Sequence, residues 1–430
     1  MIALVIRLSR QRELFLNTGV SLAARILAAL GAFIVSLLIG RQLGASESGY
    51  YFLAFSVVTF LAGFSRIGLE NTLLRFTGAA FAEQAWGTVR SVFTRAMLLT
   101  SGASFVVALL LYLSAGWLAE RVFAKPELTA VLRAMAPGVV GLALFTMISM
   151  GLQGLRRIVA SVFTINIFVN LFLAVALVMF GIVSAEYAGW AYSGASLLAA
   201  CAGYLLFRRN LGRGDGSVSW PELFQSCLPL WVVVLMGQLT QWSGQFIAGV
   251  WVEPEAVAQL AVAQRTALLT SFILMAVNLV VAPRFAAMYK QGQMAELEKL
   301  ALTSVKLMVL FALPIVVVML VFPGFLMSLF GEGFRGGAHL LQILVVGQFI
   351  NVATGSVGYL LTMSGHERDL RNTVLFSGPI AVGTAFTLVP FFGATGSAVA
   401  TALAIATQNL LAVWQVKRRL GFNTLAVWRR

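Results

Sequence analysis

Residues 40–76 read GRQLGASESGYYFLAFSVVTFLAGFSRIGLENTLLRF, in which a short polar hinge precedes a long apolar run. A second apolar run lies immediately before the hinge, and the run after it contains Arg66 and Glu70. A charged side chain at the centre of a bilayer costs about 2.5–3.5 kcal/mol on insertion scales, so such residues usually face a protein-lined cavity. The stretch therefore predicts a membrane protein that holds charged groups within its spans.

The composition of the whole chain agrees with this prediction. Of its 430 residues, 60% are hydrophobic and 11% are charged, whereas soluble domains have about 25% charged residues. The mean hydropathy is +0.90. The apolar runs are about twice as long as the roughly ten residues of a membrane β-strand, so they predict helices. No cleavable signal peptide precedes the first run, which we expect to be retained as a span.

We predict an all-α integral membrane protein with about twelve transmembrane helices. Hydropathy places these spans at residues 15–39, 50–74, 92–118, 131–153, 159–181, 187–207, 224–250, 257–283, 300–322, 338–362, 371–391 and 395–416. Six spans return the chain to its starting side, so two six-helix bundles related as parallel repeats are expected. We assign them to residues 1–207 and 223–430, joined by the polar linker 208–222.

A faint internal repeat supports the two halves. A shift of 209 positions aligns Gly40 with Gly249 and aligns Arg75–Phe76 with Arg284–Phe285. Each pair falls at the same place in its half. The hinge of the second half, residues 253–256, lacks the glycines of the first hinge, so the halves differ there.

The basic residues predict an orientation. Of the 30 Lys and Arg residues, 21 fall on the side of the N-terminus, 5 on the other side and 4 inside spans. Because Lys and Arg accumulate in cytoplasmic loops, both termini are predicted to be cytoplasmic. This topology accounts for most of the net charge of +14, and we expect no nucleic-acid partner.

Two arginines are predicted deep in the membrane. Arg25 lies eleven residues into the first span, about 16 Å deep at 1.5 Å per residue, and shares a helical face with Ser21. Arg265 is at a similar depth in the eighth span, beside Gln264. Since snorkelling is hardest at mid-membrane, we predict that these residues line a substrate cavity. The alternative is that the arginines bond to backbone carbonyls and serve packing alone.

Polar amides recur along the seventh span. Gln238, Gln241 and Gln245 follow i, i+3, i+7 spacing, with Trp242 among them. Amides facing lipid would leave donors and acceptors unpaired, so these residues should face a wet cavity or hold a partner helix. Amides next to an aromatic ring suit sugar hydroxyls.

Arg66 and Glu70 are one helical turn apart and are expected to pair. Glu70 is the only carboxylate inside a predicted span, so it is the candidate for coupling transport to H+ or Na+. Its alternative role is to neutralise Arg66 near the membrane surface. Lys306 in the ninth span is placed to snorkel to the headgroups.

Signals for other chemistry are lacking. The chain has two histidines and two cysteines, Cys201 and Cys227, without metal-ligand spacing. It has no phosphate-binding Walker motif, nucleophile elbow or HExxH sequence. We therefore predict no metal site, no organic cofactor and no enzymatic activity.

Several motifs resemble a known family. They are Arg41, Leu43–Gly44, Gly49–Tyr50–Tyr51, Gly68–Leu69 and Arg75 in the first half, and Pro283–Arg284–Phe285, Gly358–Tyr359–Leu360–Leu361 and Ser364–Gly365–His366–Glu367 in the second. They resemble the polysaccharide-transporter branch, the Wzx-type O-antigen and exopolysaccharide flippases, of the multidrug/oligosaccharidyl-lipid/polysaccharide (MOP) flippase superfamily. The resemblance implies a MATE-like fold in the bacterial cytoplasmic membrane.

The resemblance also implies a function, namely translocation of a polyprenyl-diphosphate-linked oligosaccharide by alternating access. Its implied partners are this glycan lipid, membrane lipids, and a glycan polymerase or other polysaccharide-assembly proteins. Three arginines and a lysine against one carboxylate within the spans predict a cationic cavity that would attract a diphosphate. The alternatives are a cation-coupled multidrug extruder of the same fold, a glycan polymerase or ligase, for which no loop is long enough, and a non-transporting scaffold.

Overall fold

The computed structural model describes the backbone of residues 2–212, 214 and 216–428, and side chains from residue 23 to residue 427 within these ranges, except that of residue 279. The helices of the first half are α1 Ile2–Ser65, α2 Leu69–Ala82, α3 Trp86–Trp117, α4 Leu128–Gly154, α5 Ile158–Val162, α6 Phe168–Phe180 and α7 Ala185–Arg209. Those of the second half are α8 Trp220–Trp251, α9 Pro254–Leu268, α10 Ser271–Lys290, α11 Met294–Val321, α12 Pro323–Ser328, α13 Ala338–Thr354, α14 Val357–Met363 and α15 Glu367–Leu420.

The described residues form a helical, multi-pass membrane protein. Ten helical segments are long and apolar enough to cross a membrane. The two longest are each bent at a glycine with positive φ, α1 at Gly44 (75°) and α15 at Gly393 (55°), a conformation that glycine adopts without steric cost. We name the arms α1a (2–43), α1b (45–65), α15a (367–392) and α15b (394–420). Counting these arms separately gives twelve crossing segments, as predicted.

Four predicted spans are interrupted instead of continuous. The second span breaks between α1b and α2, where Ile67 and Gly68 both have positive φ. The eighth breaks between α9 and α10, the tenth breaks at Gly355 between α13 and α14, and the fifth contains a π-helical turn at Phe163–Ile167. Hydropathy misses these features because both sides of each interruption are equally apolar. Discontinuous helices and π-turns occur often beside binding sites in transporters.

The first half is organised around α4, which is buried over most of its length. Small residues allow α7 to approach it closely, since a side chain at Gly138 would meet the ring of Tyr192 and one at Gly141 would overlap Ser196. In addition, Ser193 Oγ donates to the Ala134 carbonyl at 2.7 Å. Close packing through glycine and serine replaces the hydrophobic effect as the cause of helix association in lipid.

The two halves meet on both sides of the molecule. We call the side bearing the connections 82–86, 154–158, 290–294 and 363–367 the terminal side, and the side bearing Gly44 and Gly393 the opposite side. On the terminal side α8 packs against the second span, where Thr72 Oγ1 and Ser226 Oγ are 3.0 Å apart and Trp231 Nε1 donates to the Phe64 carbonyl at 3.0 Å.

On the opposite side the halves are held by reciprocal contacts. Gly40 of α1a packs against Phe330, and Gly249 of α8 packs against Leu53. These two glycines are the pair that the 209-residue shift aligns. Equivalent positions in the two halves therefore both contact the other half.

Polar contacts reinforce this opposite-side interface. Arg41 Nε donates to the Leu329 carbonyl at 2.7 Å, and Lys125 Nζ donates to the Gly249 carbonyl at 2.8 Å. Burial lowers the pKa of Lys125, and the nearby charge of Glu253 acts in the other direction. Both cations thus bridge the halves through backbone carbonyls.

Candidate functional site

A cavity of about 1040 Å³ lies between the two halves. It is bordered by α1a, α1b, α2, α4, α6 and α7 from the first half and by α8, α9, α10, α13 and both arms of α15 from the second. Three of the four interruptions border the cavity. Two lining residues, Arg66 and Glu70, flank the break in the second span, and two others, Leu268 and Ser271, flank the break in the eighth. The lining residue Asn166 belongs to the π-turn of the fifth span. The cavity therefore lies where the helices depart from regular geometry.

The cavity is lined by many polar side chains. Three of the lining residues are charged, and ten others carry side-chain amides. The amides are Asn166, Asn170, Gln238, Gln241, Gln245, Gln264, Gln348, Asn351, Gln408 and Asn409. Uncompensated polar groups are costly in a membrane interior, so this lining indicates that the cavity holds water or a polar ligand.

Arg265 provides the one cation in the cavity without a described carboxylate partner. It lies 11 positions after Pro254, where α9 begins on the opposite side, which corresponds to a depth of about 16 Å. The centre of its guanidinium is 4.2 Å from the centroid of the Phe52 ring and 5.5 Å from that of Phe55. Such cation–π contacts orient a desolvated guanidinium.

The hydrogen bonds of Arg265 leave most of its donors free. Its Nη1 donates to the Ala261 carbonyl at 3.4 Å, and no other partner occurs among the described residues. A guanidinium presents five N–H donors in a planar fork that matches phosphate and carboxylate groups. This side chain can therefore contact an anionic group of a ligand in the cavity.

All four predicted glutamines line the cavity. Gln238 Nε2 and Gln245 Nε2 also donate across the interface between the halves, to the Thr59 and Phe52 carbonyls at 3.2 and 2.8 Å. The two interpretations of the sequence pattern, a wet cavity and a partner helix, thus apply to the same residues. Gln241 and Gln264 complete the predicted set.

An aromatic group lies beside these amides. The Phe55 ring makes edge contacts with Tyr192 and Trp242, at centroid separations of 5.3 and 6.0 Å. Trp242 Nε1 and Gln264 Nε2 are buried donors without a partner among the described residues. Both residues line the cavity, and the two nitrogens themselves are buried beneath its surface.

Arg66 and Glu70 form a buried ion pair at the break in the second span. Arg66 Nε contacts Glu70 Oε2, and each residue is 8% exposed. Both line the cavity. The pair contributes no net charge, so the lining carries a single unpaired cation instead of the several that the sequence predicts.

Arg25 lies elsewhere than the sequence predicts. It is 19 positions before the bend at Gly44, or about 28 Å of helix, close to the full thickness of a ~30 Å hydrocarbon core. The prediction measured depth from a span start at residue 15, whereas α1 already begins at Ile2. Arg25 is outside the cavity lining, and its Nη1 donates to Met275 Sδ of α10 at 3.5 Å. The side chain of Ser21 lies outside the described residues.

Lys306 faces outward, being exposed on the surface of α11. The two thiols, Cys201 and Cys227, are unpaired. Within the part of the chain that the structure describes, no group of three or more His, Cys, Asp and Glu side chains is placed to hold a metal ion.

Six of the ten described lining amides were not predicted from the sequence. They are Asn166 and Asn170 in the fifth span, Gln348 and Asn351 in the tenth, and Gln408 and Asn409 in the twelfth. The first two pairs have the i, i+4 and i, i+3 spacing that identified the glutamines of α8. The same criterion, an amide inside an apolar run, could have found all six.

Comparison with known families identifies the chain at the family level. Residues 14–289 match the family described as polysaccharide biosynthesis protein, and residues 233–387 match the MatE family. None of the curated proteins compared with the chain matches it. The first match covers more than half of the chain.

Solved structures share the fold at low sequence identity. An inward-facing multidrug resistance MATE family transporter of the MOP superfamily has 15% identity and a TM-score of 0.71, and the alignment covers 94% of this chain and 98% of that one. The lipid II flippase MurJ, in an inward closed conformation, has 12% identity and a TM-score of 0.73, with 92% and 87% covered.

A third structure is a MOP-superfamily transporter from Pyrococcus furiosus, reported to have a binding pocket of reversed polarity. It has 15% identity and a TM-score of 0.63, with 96% of this chain and 94% of that one covered. The family matches and the shared fold agree with the resemblance carried by the sequence motifs. The chain therefore belongs to the polysaccharide biosynthesis protein family.

Proposed function

We propose that the protein is a flippase that moves a polyprenyl-diphosphate-linked oligosaccharide across the bacterial cytoplasmic membrane. The observation that carries the proposal is the polar cavity between the halves, with one unpaired arginine among ten amides. Arg265 would bind the diphosphate, and the amides would bind sugar. The polyprenyl chain would remain in the bilayer, for which the exposed apolar surface of the spans is suited.

Alternating access supplies the transport step. Rocking of the halves would separate the contacts of the opposite side, where Arg41 and Lys125 bridge the interface. The cavity would then open to that side while the terminal side closes. With both termini in the cytoplasm, as the basic residues favour, this motion delivers the glycan to the outer leaflet.

The energy source is proposed to be the membrane potential, with H+ or Na+ coupling through Glu70 as the alternative. Moving negative charge out of a negative-inside cell is downhill by about 2.3 kcal/mol per charge per 100 mV. Glu70 lines the cavity and is paired with Arg66. An ion that binds Glu70 would have to compete with this arginine.

We propose that Arg25 acts at the entrance to the cavity. About 28 Å of helix separate it from the bend at Gly44, which would place it at the level of the lipid headgroups. Its Nε is buried without a partner among the described residues. It would meet the diphosphate as the lipid enters between α1a and α10. Ser21 precedes Arg25 by one helical turn, and we propose the same role for it.

The charge of the cavity opposes the multidrug alternative. A pump for cationic drugs needs free carboxylates, and the one carboxylate in the lining is bound to Arg66. A non-transporting scaffold would have no use for a cavity lined with unpaired donors and acceptors. A glycan polymerase and other assembly proteins remain proposed partners.

The direct test is translocation by purified protein in liposomes. A polyprenyl diphosphate bearing a fluorescent oligosaccharide would be placed in both leaflets, and a membrane-impermeant quencher would follow its movement under an imposed potential or pH gradient. We expect movement that requires the protein and increases with the potential. Export of a cationic dye, with no movement of the glycan lipid, would instead favour the multidrug extruder.

A further inference from the structure

The orientation of the cavity amides carries information about the ligand. In four of them, the side-chain NH2 group donates a hydrogen bond to a backbone carbonyl. These bonds run from Asn170 Nδ2 to Asn166 O (2.6 Å), from Gln238 Nε2 to Thr59 O (3.2 Å), from Gln245 Nε2 to Phe52 O (2.8 Å) and from Asn409 Nδ2 to Ile405 O (2.9 Å). Because a backbone carbonyl can only accept, each bond fixes which end of the amide is its oxygen.

The four amide oxygens are left without partners. Gln245 Oε1 is buried and unpaired, and the oxygens of the other three amides receive no hydrogen bond from any described residue. An unsatisfied acceptor inside a protein carries a desolvation penalty. Gln245 is fully buried, so its oxygen is closed to a ligand, and we call the other three amides, Asn170, Gln238 and Asn409, the acceptor wall. They belong to α6 and α8 and to α15b, so the wall spans both halves of the protein.

The acceptor wall favours ligands that carry hydrogen-bond donors over ligand groups that carry only acceptors. A sugar hydroxyl or an acetamido N–H donates a hydrogen bond to an amide oxygen, whereas a carboxylate only accepts and would be repelled. The neighbouring Phe55 and Trp242 provide apolar surface for a sugar face. Among the described lining residues, Arg265 is the one cation without a carboxylate partner, and a diphosphate would bind there.

We propose that the acceptor wall is a subsite for uncharged, hydroxyl- or acetamido-bearing sugars and that it excludes acidic sugars. This proposal rests on the proposed flippase function for the identity of the whole ligand. It divides the cavity into an anion position at Arg265 and a neutral glycan position at the amides. The transported repeat unit is then a neutral oligosaccharide whose negative charge is confined to its diphosphate.

The test measures binding of free saccharides to the full-length protein in nanodiscs, without any translocation step. The probes are tri-N-acetylchitotriose, which is neutral, and trigalacturonate, which is acidic and of equal length. Saturation-transfer NMR titrations would give the dissociation constants. We expect binding of the neutral trisaccharide at least tenfold tighter than binding of the acidic one. Equal or tighter binding of trigalacturonate, or no binding of the neutral probe, would overturn the proposal.

A double variant tests the wall itself. Asn170→Leu with Asn409→Leu removes two acceptors whose nitrogens bond only within their own helices, so the interface between the halves is untouched. A hydrogen bond contributes about fivefold in affinity, and we expect roughly 25-fold weaker binding of the neutral trisaccharide. Gln415→Leu is the matched control, because Gln415 lies on α15b outside the cavity lining. Unchanged binding by the double variant would contradict the wall.

The two proposals fail separately. If the neutral trisaccharide binds but no diphosphate-linked glycan moves in liposomes, the result supports the acceptor wall and contradicts the flippase function. If the glycan lipid moves but acidic and neutral saccharides bind with equal affinity, the result supports the flippase function and contradicts the acceptor wall.

Discussion

Replacing Arg265 with glutamine is expected to lower the initial rate of glycan-lipid translocation at least about 100-fold while the protein remains folded. Among the described lining residues, Arg265 is the one cation without a carboxylate partner, and its guanidinium makes a single hydrogen bond, to the Ala261 carbonyl. A hydrogen bond to a charged group contributes about 1.5–3 kcal/mol, so losing two of them to a diphosphate corresponds to a factor of 100 or more. Glutamine retains polarity but removes the charge and the planar fork.

Two matched variants separate binding from general damage. Arg265→Lys keeps the charge without the bidentate geometry, and we expect an intermediate rate. Lys306→Gln also removes one cation from a span, but this residue is exposed on the outer surface of α11, so the rate should stay within twofold of wild type. Translocation would be followed in liposomes at equal protein content. A wild-type rate for Arg265→Gln would exclude the anion site.

Removing Glu70 alone is expected to destabilise the protein by about 3–5 kcal/mol, because Arg66 would remain buried without its counter-ion. Both residues are 8% exposed and pair across one turn. Replacing both with leucine removes the charges together, and stability should return to within about 1 kcal/mol of wild type. The free energy of unfolding in detergent would be measured for Glu70→Leu, Arg66→Leu and the double variant.

The double-mutant cycle distinguishes a structural pair from an independent pair of charges. A coupling energy of several kcal/mol is expected for residues in direct contact. If the two single variants lose little stability and their effects simply add, the ion pair is not an organising feature of the break in the second span. Transport by the double variant would further show that Glu70 is not required for coupling.

The spans and much of the candidate site could be predicted from the sequence. Long apolar runs interrupted by polar hinges determine the twelve crossings, and the cost of polar groups in lipid drew attention to Arg265 and to the glutamines of α8. Arg265 lies 11 positions after Pro254, where α9 begins, and it lines the cavity as the sequence predicted. Its aromatic contacts, with Phe52 and Phe55, come from another helix and leave no local signal.

Other features depend on tertiary structure. Hydropathy does not reveal where a helix breaks when both sides are apolar, so the interruptions beside Arg66 and before Ser271 were missed. The depth of Arg25 was misjudged because a soft hydropathy boundary served as its reference, whereas the bend at Gly44 defines the end of the span. The direction of each amide, on which the acceptor wall depends, follows from hydrogen bonds that span distant parts of the chain.

The central claim, transport through the cavity by separation of the halves, is tested most directly by locking the opposite side. A Cβ added at Gly333 would lie 3.0 Å from the Cβ of Ala45, which belongs to the other half. Disulfide-bonded cysteines have Cβ atoms about 3.5–4.5 Å apart, so Ala45→Cys with Gly333→Cys should cross-link after a small adjustment. Cys201 and Cys227 would first be replaced by alanine.

The measurement is the initial rate of glycan-lipid translocation by this variant, before and after reduction of the cross-link. We expect the oxidised protein to be inactive and the reduced protein to regain the rate of the two single-cysteine variants. A fully cross-linked protein that still moves the glycan lipid at that rate would contradict alternating access through this cavity.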